Sequence, residues 1–441
     1  MEYPAHSGMP HGGDATLGLW SGAALVTGNM IGSGIFLLPA SMAVFGVYGL
    51  VGWACASVGA MLLAALFRSL GRVMPHAPGG PYAYVREAMG DQLGFVVAWG
   101  YWVSIWCTNA AIAVACVGYL SVFFPALASE PLLGALTGLG LLWGVTAFNA
   151  LPLRQVAALQ GVTVVLKVVP LLLLIVLGWG HIRWEWLMLA GHSGEGAFGA
   201  ITAATTLALF AFLGVESAAI ASHRIRNPER NMGRASVMGT ALTVVLYVGC
   251  SVVVMGTVPP EGLLDSPAPF AESASTFLGA AGRDAMAVVA VLATFGALNG
   301  WLLIQGQFPA AVAADGLFPG VFGRTNRFGA PLVGIALSSL LASAVLLLNF
   351  SDSLVSTFTF MMTLSTLSTL VPYLLSALSL LLLCARTGDG VPGGIRPLAV
   401  GCALFCGWVI FGCGAEVIAY GLVLLGVGMV LYLLRARMQR P

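Results

Sequence analysis

Between Leu17 and about Phe45 the chain is apolar for long enough to cross a bilayer, and the middle of this run reads Gly28-Asn29-Met30-Ile31-Gly32-Ser33-Gly34-Ile35-Phe36. Glycine at 28, 32 and 34, with Ser33 between the last two, lowers the helix preference where a spanning helix should be at its most regular. Amides and carbonyls freed at membrane depth persist only where protein or a water-filled cavity satisfies them. The stretch therefore predicts a helix broken in two around a ligand, its second half aiming the positive end of the helix dipole at an anionic group. A glycine-rich packing face is the plainer alternative.

The rest of the chain keeps to the same solvent. Only 8% of the 441 residues are charged and 59% are hydrophobic, against about 25% charged in an ordinary soluble domain. Apolar segments fall near 17–41, 47–70, 92–124, 133–151, 155–179, 198–222, 235–258, 285–312, 331–350, 354–384, 397–415 and 417–435. Numbered in that order they make twelve spans, an all-α membrane protein. The reading is a polar tail over 1–15 with no cleaved leader, then a single membrane domain over 16–436. Twelve spans put both termini on one side. If that side is cytoplasmic, 15 arginines lie inside and only Arg183 and Arg283 outside, as expected for a multi-pass protein of the cell's plasma (inner) membrane. The cysteines sit mostly inside apolar runs without metal-site spacing, and the histidines lie outside the runs or at their ends. No metal site and no bound cofactor is expected, nor any nucleic-acid partner.

A second interruption occurs in span six, where Phe210-Ala211-Phe212-Leu213-Gly214-Val215-Glu216-Ser217 puts a glycine and a carboxylate at mid-membrane. Spans one and six are five helices apart. In a 5+5 inverted repeat, with halves near 16–179 and 198–384, the two breaks hold equivalent places, and paired breaks of this kind mark a transport site at the bilayer midplane. The extra helices near 397–435 then face lipid or a second subunit of a homodimer.

At these residues the chain resembles the amino acid–polyamine–organocation (APC) superfamily, and within it most nearly the basic amino acid/polyamine antiporters, among them an arginine/agmatine exchanger. The similarity includes GNMIGSGIFLLPA in span one, PGGPYAYVREAMG between spans two and three, and YWVSIWCTN in span three. It continues through LGVESA and RNPERN around the end of span six, NGW and AADGLFP around span eight, and TLVPY in span ten.

The residues and the resemblance point to one site. Backbone amides at Ser33 and Gly34, at the head of the second half-helix, suit a carboxylate without an arginine, and the resemblance assigns the substrate's α-carboxylate there. Asn29 belongs to the same break. Carbonyls left free at Met30, Phe210 and Leu213 should receive an α-ammonium group. Asn109 in span three reads as interhelical glue or, by resemblance, as a contact to the substrate side chain. Trp301 in span eight lies far from the headgroup belts and reads as a cation–π wall or as a core filler; the resemblance favours the wall. Phe210 takes the place of a gate tryptophan and Ala297 that of a hydroxyl residue, and both changes make the pocket more apolar. Tyr101, Ser365 and Tyr373 match pocket or gate positions and read equally well as packing residues.

Two ionisable groups lie deep in the membrane, where their cost makes a functional role the default reading. Glu216 serves either coupling or the integrity of its break. Lys167, the chain's one lysine, matches a lysine of proton-coupled and heteromeric neutral amino acid transporters, standing where sodium-dependent relatives bind Na⁺. Carbonyls beside the break in span one are its expected partners.

A channel would need rings of polar residues through spans three, six, eight and ten, and these are lacking. An enzyme would need a nucleophile–base pair or a metal, and the membrane segments hold no histidine to build one. The expectation is a sodium-independent secondary amino acid transporter working by alternating access as an amino acid/amine antiporter. The alternatives are proton-coupled transport or exchange of neutral amino acids using Lys167, and a sensor of the same fold that transports nothing.

Overall fold

In a bilayer every backbone polar group needs an internal partner, so a chain of this composition folds as helices. The computed structural model describes residues 18–74, 80–152, 167–189, 191, 193–220, 225–348, 353–387 and 394–438. Residues 1–17, and with them the expected tail, lie outside that set. So do residues 153–166 of span five.

Among the described residues seven helices are long and apolar enough to cross a membrane: Val47–Val73, Asp91–Leu120, Pro131–Asn149, Arg230–Thr257, Pro269–Ala314, Leu354–Arg386 and Ala415–Leu434. The bent pair Leu19–Met30 and Gly34–Ala43 is long and apolar enough when taken together, and four shorter apolar helices are Lys167–His181, Ala197–Phe210, Leu332–Leu348 and Ile395–Phe411. Each corresponds to one predicted segment. The fold is an all-α, multi-pass membrane protein.

Two boundaries differ from the sequence reading. The PGGPYAYVREAMG stretch forms its own short helix, Pro81–Met89. Tyr82 donates to Asp315 Oδ2 at 2.7 Å and Arg86 to the Asp315 carbonyl at 3.0 Å, which ties this helix to the end of span eight. Span eight itself starts earlier, at Pro269, and turns at Gly279 (φ 67°) before continuing to Ala314. Apolarity marks what lies in lipid, and it carries no signal for a helix that continues beyond the bilayer.

Burial orders the bundle. In span three 94% of the apolar stretch is buried, against 17% in span twelve, so span three runs through the centre and span twelve lies at the edge. Span three packs against spans ten and eight, the first half of span one against span seven, and span two against spans six and seven. The two interrupted spans thus meet beside the central helix.

Candidate functional site

Span one breaks where its glycines predict. The first half ends at Met30, the second begins at Ser33, and the two are bent by 45°. Span six runs from Ala197 to Phe210, passes through a turn over 211–216 and resumes at Ser217. Gly214 in that turn has φ 106°, a conformation an L side chain rarely adopts, and it lies against Asn29. A methyl group on Gly34 would come within 3.0 Å of Ala211 Cα. The Asn29 amide donates to Ser217 Oγ at 2.9 Å. The two breaks therefore touch.

Between them lies a cavity of about 10 Å³, room for about one water. Asn29, Met30, Gly34, Phe210, Leu213 and Trp301 line it, all six expected from the sequence. Gly32, Thr108, Ile112 and Ala211 complete the lining and were not expected. None of these ten residues carries an ionisable group. Phe358 of span ten meets the Phe210 ring edge to face at 6.0 Å, a contact no sequence pattern announces. In this conformation the aromatic side chains leave room for little more than a water.

Four expected site residues sit elsewhere. Asn109 points to span eight, donating to Gln305 Oε1 at 2.6 Å, while its Oδ1 has no partner among the described residues. Gln305 in turn donates to the Ile335 carbonyl at 3.0 Å and to Ser339 Oγ at 2.9 Å. Ser365 accepts from Thr108 at 2.7 Å and donates to the Ser104 carbonyl, so it stands behind a lining residue. Tyr101 and Tyr373 belong together at Glu216: Tyr101 donates to Oε1 at 2.5 Å and Tyr373 to Oε2. One buried carboxylate at the span-six break thus holds spans three and ten. Each of these three residues stands out separately in the sequence, but the cluster does not, because its members lie 115 and 157 positions apart.

Lys167 and the carbonyls of Met30 and Phe210 depart from the expectation. The Met30 carbonyl is not free: Tyr247 of span seven donates to it at 2.6 Å. The Phe210 carbonyl accepts the Leu213 amide inside the turn. Packing thus supplies partners to backbone that the break would leave bare. Lys167 is fully buried, and its Nζ has no hydrogen-bond partner among the described residues. The span-one carbonyls do not hold it.

The family model described as "Amino acid permease" matches residues 17–431. The chain belongs to that family. Such permeases are transporters and not enzymes. A cadaverine/lysine antiporter of Escherichia coli (strain K12) is 33% identical over 75% of this chain and 74% of its own length. The putrescine transporter PotE of the same organism is 30% identical over 92% of each. A Bacillus subtilis (strain 168) protein provisionally named as an arginine/ornithine antiporter is 32% identical over 82% of this chain and 83% of its own. The family model spans nearly the whole membrane region, both breaks included.

Proposed function

We propose that this permease is a sodium-independent antiporter, exchanging a basic amino acid for an amine at the cavity between the broken spans. The observation that carries the reading is the lining itself: Trp301 and two helix breaks face a space with no ionisable side chain among the described residues. A cation there would rest on the ring of Trp301 and on backbone dipoles. A carboxylate would take the amides at Ser33 and Gly34 at the head of the second half-helix. Neither contact depends on a neutralising side chain, so an amino acid and its decarboxylated amine would fit the same place. The relatives named for lysine with cadaverine, for putrescine and for arginine with ornithine support that substrate class.

In this reading Asn29, Met30, Phe210 and Leu213 shape the cavity, with Thr108 added to them. Glu216, Tyr101 and Tyr373 hold the span-six break, and Asn109 and Ser365 act from behind the lining. The two halves near 16–179 and 198–384 would be the inverted repeats that move against each other. The arginine asymmetry supports cytoplasmic termini in the plasma membrane.

The test is counterflow in proteoliposomes. Vesicles loaded with lysine, arginine or ornithine should take up labelled cadaverine, putrescine or agmatine, without need of Na⁺. Uptake of a neutral amino acid only, with every amine inert at millimolar concentration, would overturn the reading.

One observation favours a second reading. Lys167 is buried with no hydrogen-bond partner among the described residues, which supports proton-coupled transport of neutral amino acids. A pH gradient that drives net alanine or serine uptake would select it.

A further inference from the structure

The end of span two and the start of span seven meet through two glycines. A methyl group built on Gly71 would lie 2.0 Å from Met232 Cε, and one on Gly233 would lie 2.2 Å from Arg68 Cγ. This close approach brings arginines together. Arg68 and Arg72 are four residues apart on span two, and Arg230 and Arg234 are four apart on span seven, so each pair shares a helix face. Arg72 and Arg234 lie within electrostatic reach of Arg68.

Nothing in folding asks for this arrangement. Like charges at this helical spacing repel, and basic residues at a helix N-terminus oppose its dipole. Span seven starts at Pro228, its Asn227 offers no side-chain cap, and Arg230 stands in its first turn. The sequence Ser222–Arg234 holds four arginines against the single acid Glu229. Among the described side chains the ion pairs are Arg86–Asp91 and Arg283–Asp284, and neither includes Arg68, Arg72, Arg230 or Arg234. The positive-inside rule accounts for arginine on this side of the membrane, but it does not require two facing pairs.

Depth supplies the partner. Arg68 lies 21 residues beyond Val47, the start of its helix, or about 32 Å along it, against a hydrocarbon thickness of about 30 Å. That puts the half-buried Arg68 at headgroup level, with Arg72 and Arg234 exposed around it.

We propose that Arg68, Arg72, Arg230 and Arg234 form a binding site for a phosphate-bearing lipid headgroup, filled best by one with two phosphates. Guanidinium forks match phosphate oxygens bidentately, and basic pockets between membrane helices take such headgroups. The lipid clamps span two to span seven at one face of the bundle. This site is separate from the cavity at the breaks and does not depend on what is transported.

The experiment uses the full-length protein in nanodiscs of phosphatidylcholine alone, or with phosphatidylglycerol or cardiolipin at equal added charge. Thermal stability should rise most with cardiolipin, less with phosphatidylglycerol, and the gain should shrink as salt is raised. Inorganic phosphate at millimolar concentration should not reproduce it; if it does, the lipid is not the ligand. Arg72→Gln with Arg234→Gln should weaken cardiolipin binding about thirtyfold, about fivefold from each charge removed. Because repulsion is relieved, this variant should be at least as stable as the parent in phosphatidylcholine. Arg324→Gln with Arg327→Gln, on the same side, should leave cardiolipin binding unchanged. Equal stabilisation by all three bilayers, or equal loss in both double variants, would overturn the proposal.

Discussion

The side-chain amide of Asn29 donates to Ser217 Oγ at 2.9 Å, joining the residue before the break in span one to the residue after the turn in span six. With the close approach of Gly34 to Ala211, this bond makes the two breaks one mechanical unit. Side-chain hydrogen bonds between membrane helices average about 0.6 kcal/mol in double-mutant cycles. Asn29→Ala and Ser217→Ala should each lower thermal stability slightly, and the double variant should fall short of their sum by about that amount. Fully additive losses would mean that the bond does not couple the breaks.

The Glu216 cluster predicts an order of variants. Tyr101 and Tyr373 each donate to one oxygen of the same buried carboxylate. Hydrogen bonds to charged groups contribute about 1.5–3 kcal/mol, and a buried acceptor left bare costs its full desolvation. Glu216→Ala should therefore cost most, removing a ligand of both tyrosines and opening a void. Tyr101→Phe and Tyr373→Phe should each cost less. Glu216→Gln should cost least, since its amide keeps an acceptor for one hydroxyl and offers a donor to the other. Melting temperatures of the four variants decide the order, and an alanine variant as stable as the glutamine one would contradict it.

Trp301 is the test of substrate charge. It lines the cavity at 7% exposure with no carboxylate beside it. Trp301→Leu keeps an apolar filler and removes the ring quadrupole, so a cationic ligand should bind about 5- to 30-fold more weakly, a loss of about 1–2 kcal/mol. A neutral amino acid of similar size should lose much less, and Trp301→Phe should fall between. Equal losses for both ligand types would make Trp301 packing only.

What the sequence disclosed follows from what each signal depends on. The breaks were legible because Gly28, Gly32, Gly34 and Gly214 violate helix preference where lipid demands regularity, and Trp301 stood out as an aromatic far from the interface. Span three shows the opposite case. Nearly all of its residues are buried, so it is apolar all round and no periodicity says which face meets the cavity. Thr108 was missed and its neighbour Asn109 chosen, although one faces the cavity and the other faces Gln305. The partners of Met30 and Glu216 were invisible for a related reason. They come from spans three, seven and ten, and pairing across helices depends on register that local sequence does not encode.

Lys167 gives the prediction that separates mechanisms. Its side chain is fully buried at the start of the described part of span five, and its Nζ has no hydrogen-bond partner among the described residues. The natural acceptor beside the first break, the Met30 carbonyl, already takes the Tyr247 hydroxyl. A lysine bracing span one as a bound cation would need such acceptors. One that carries a proton needs them only in the conformation where it is charged. Lys167→Met removes the polar end and keeps the length. It should raise thermal stability in this conformation, because an unsatisfied buried polar group costs about 1–3 kcal/mol. Exchange measured at equal pH on both sides should stay within about threefold of the parent, a difference of less than about 1 kcal/mol. Accumulation driven by a pH gradient, if the parent shows it, should vanish. A variant that melts lower and exchanges poorly would instead assign Lys167 to bracing, and one that still follows the pH gradient would move proton handling to Glu216.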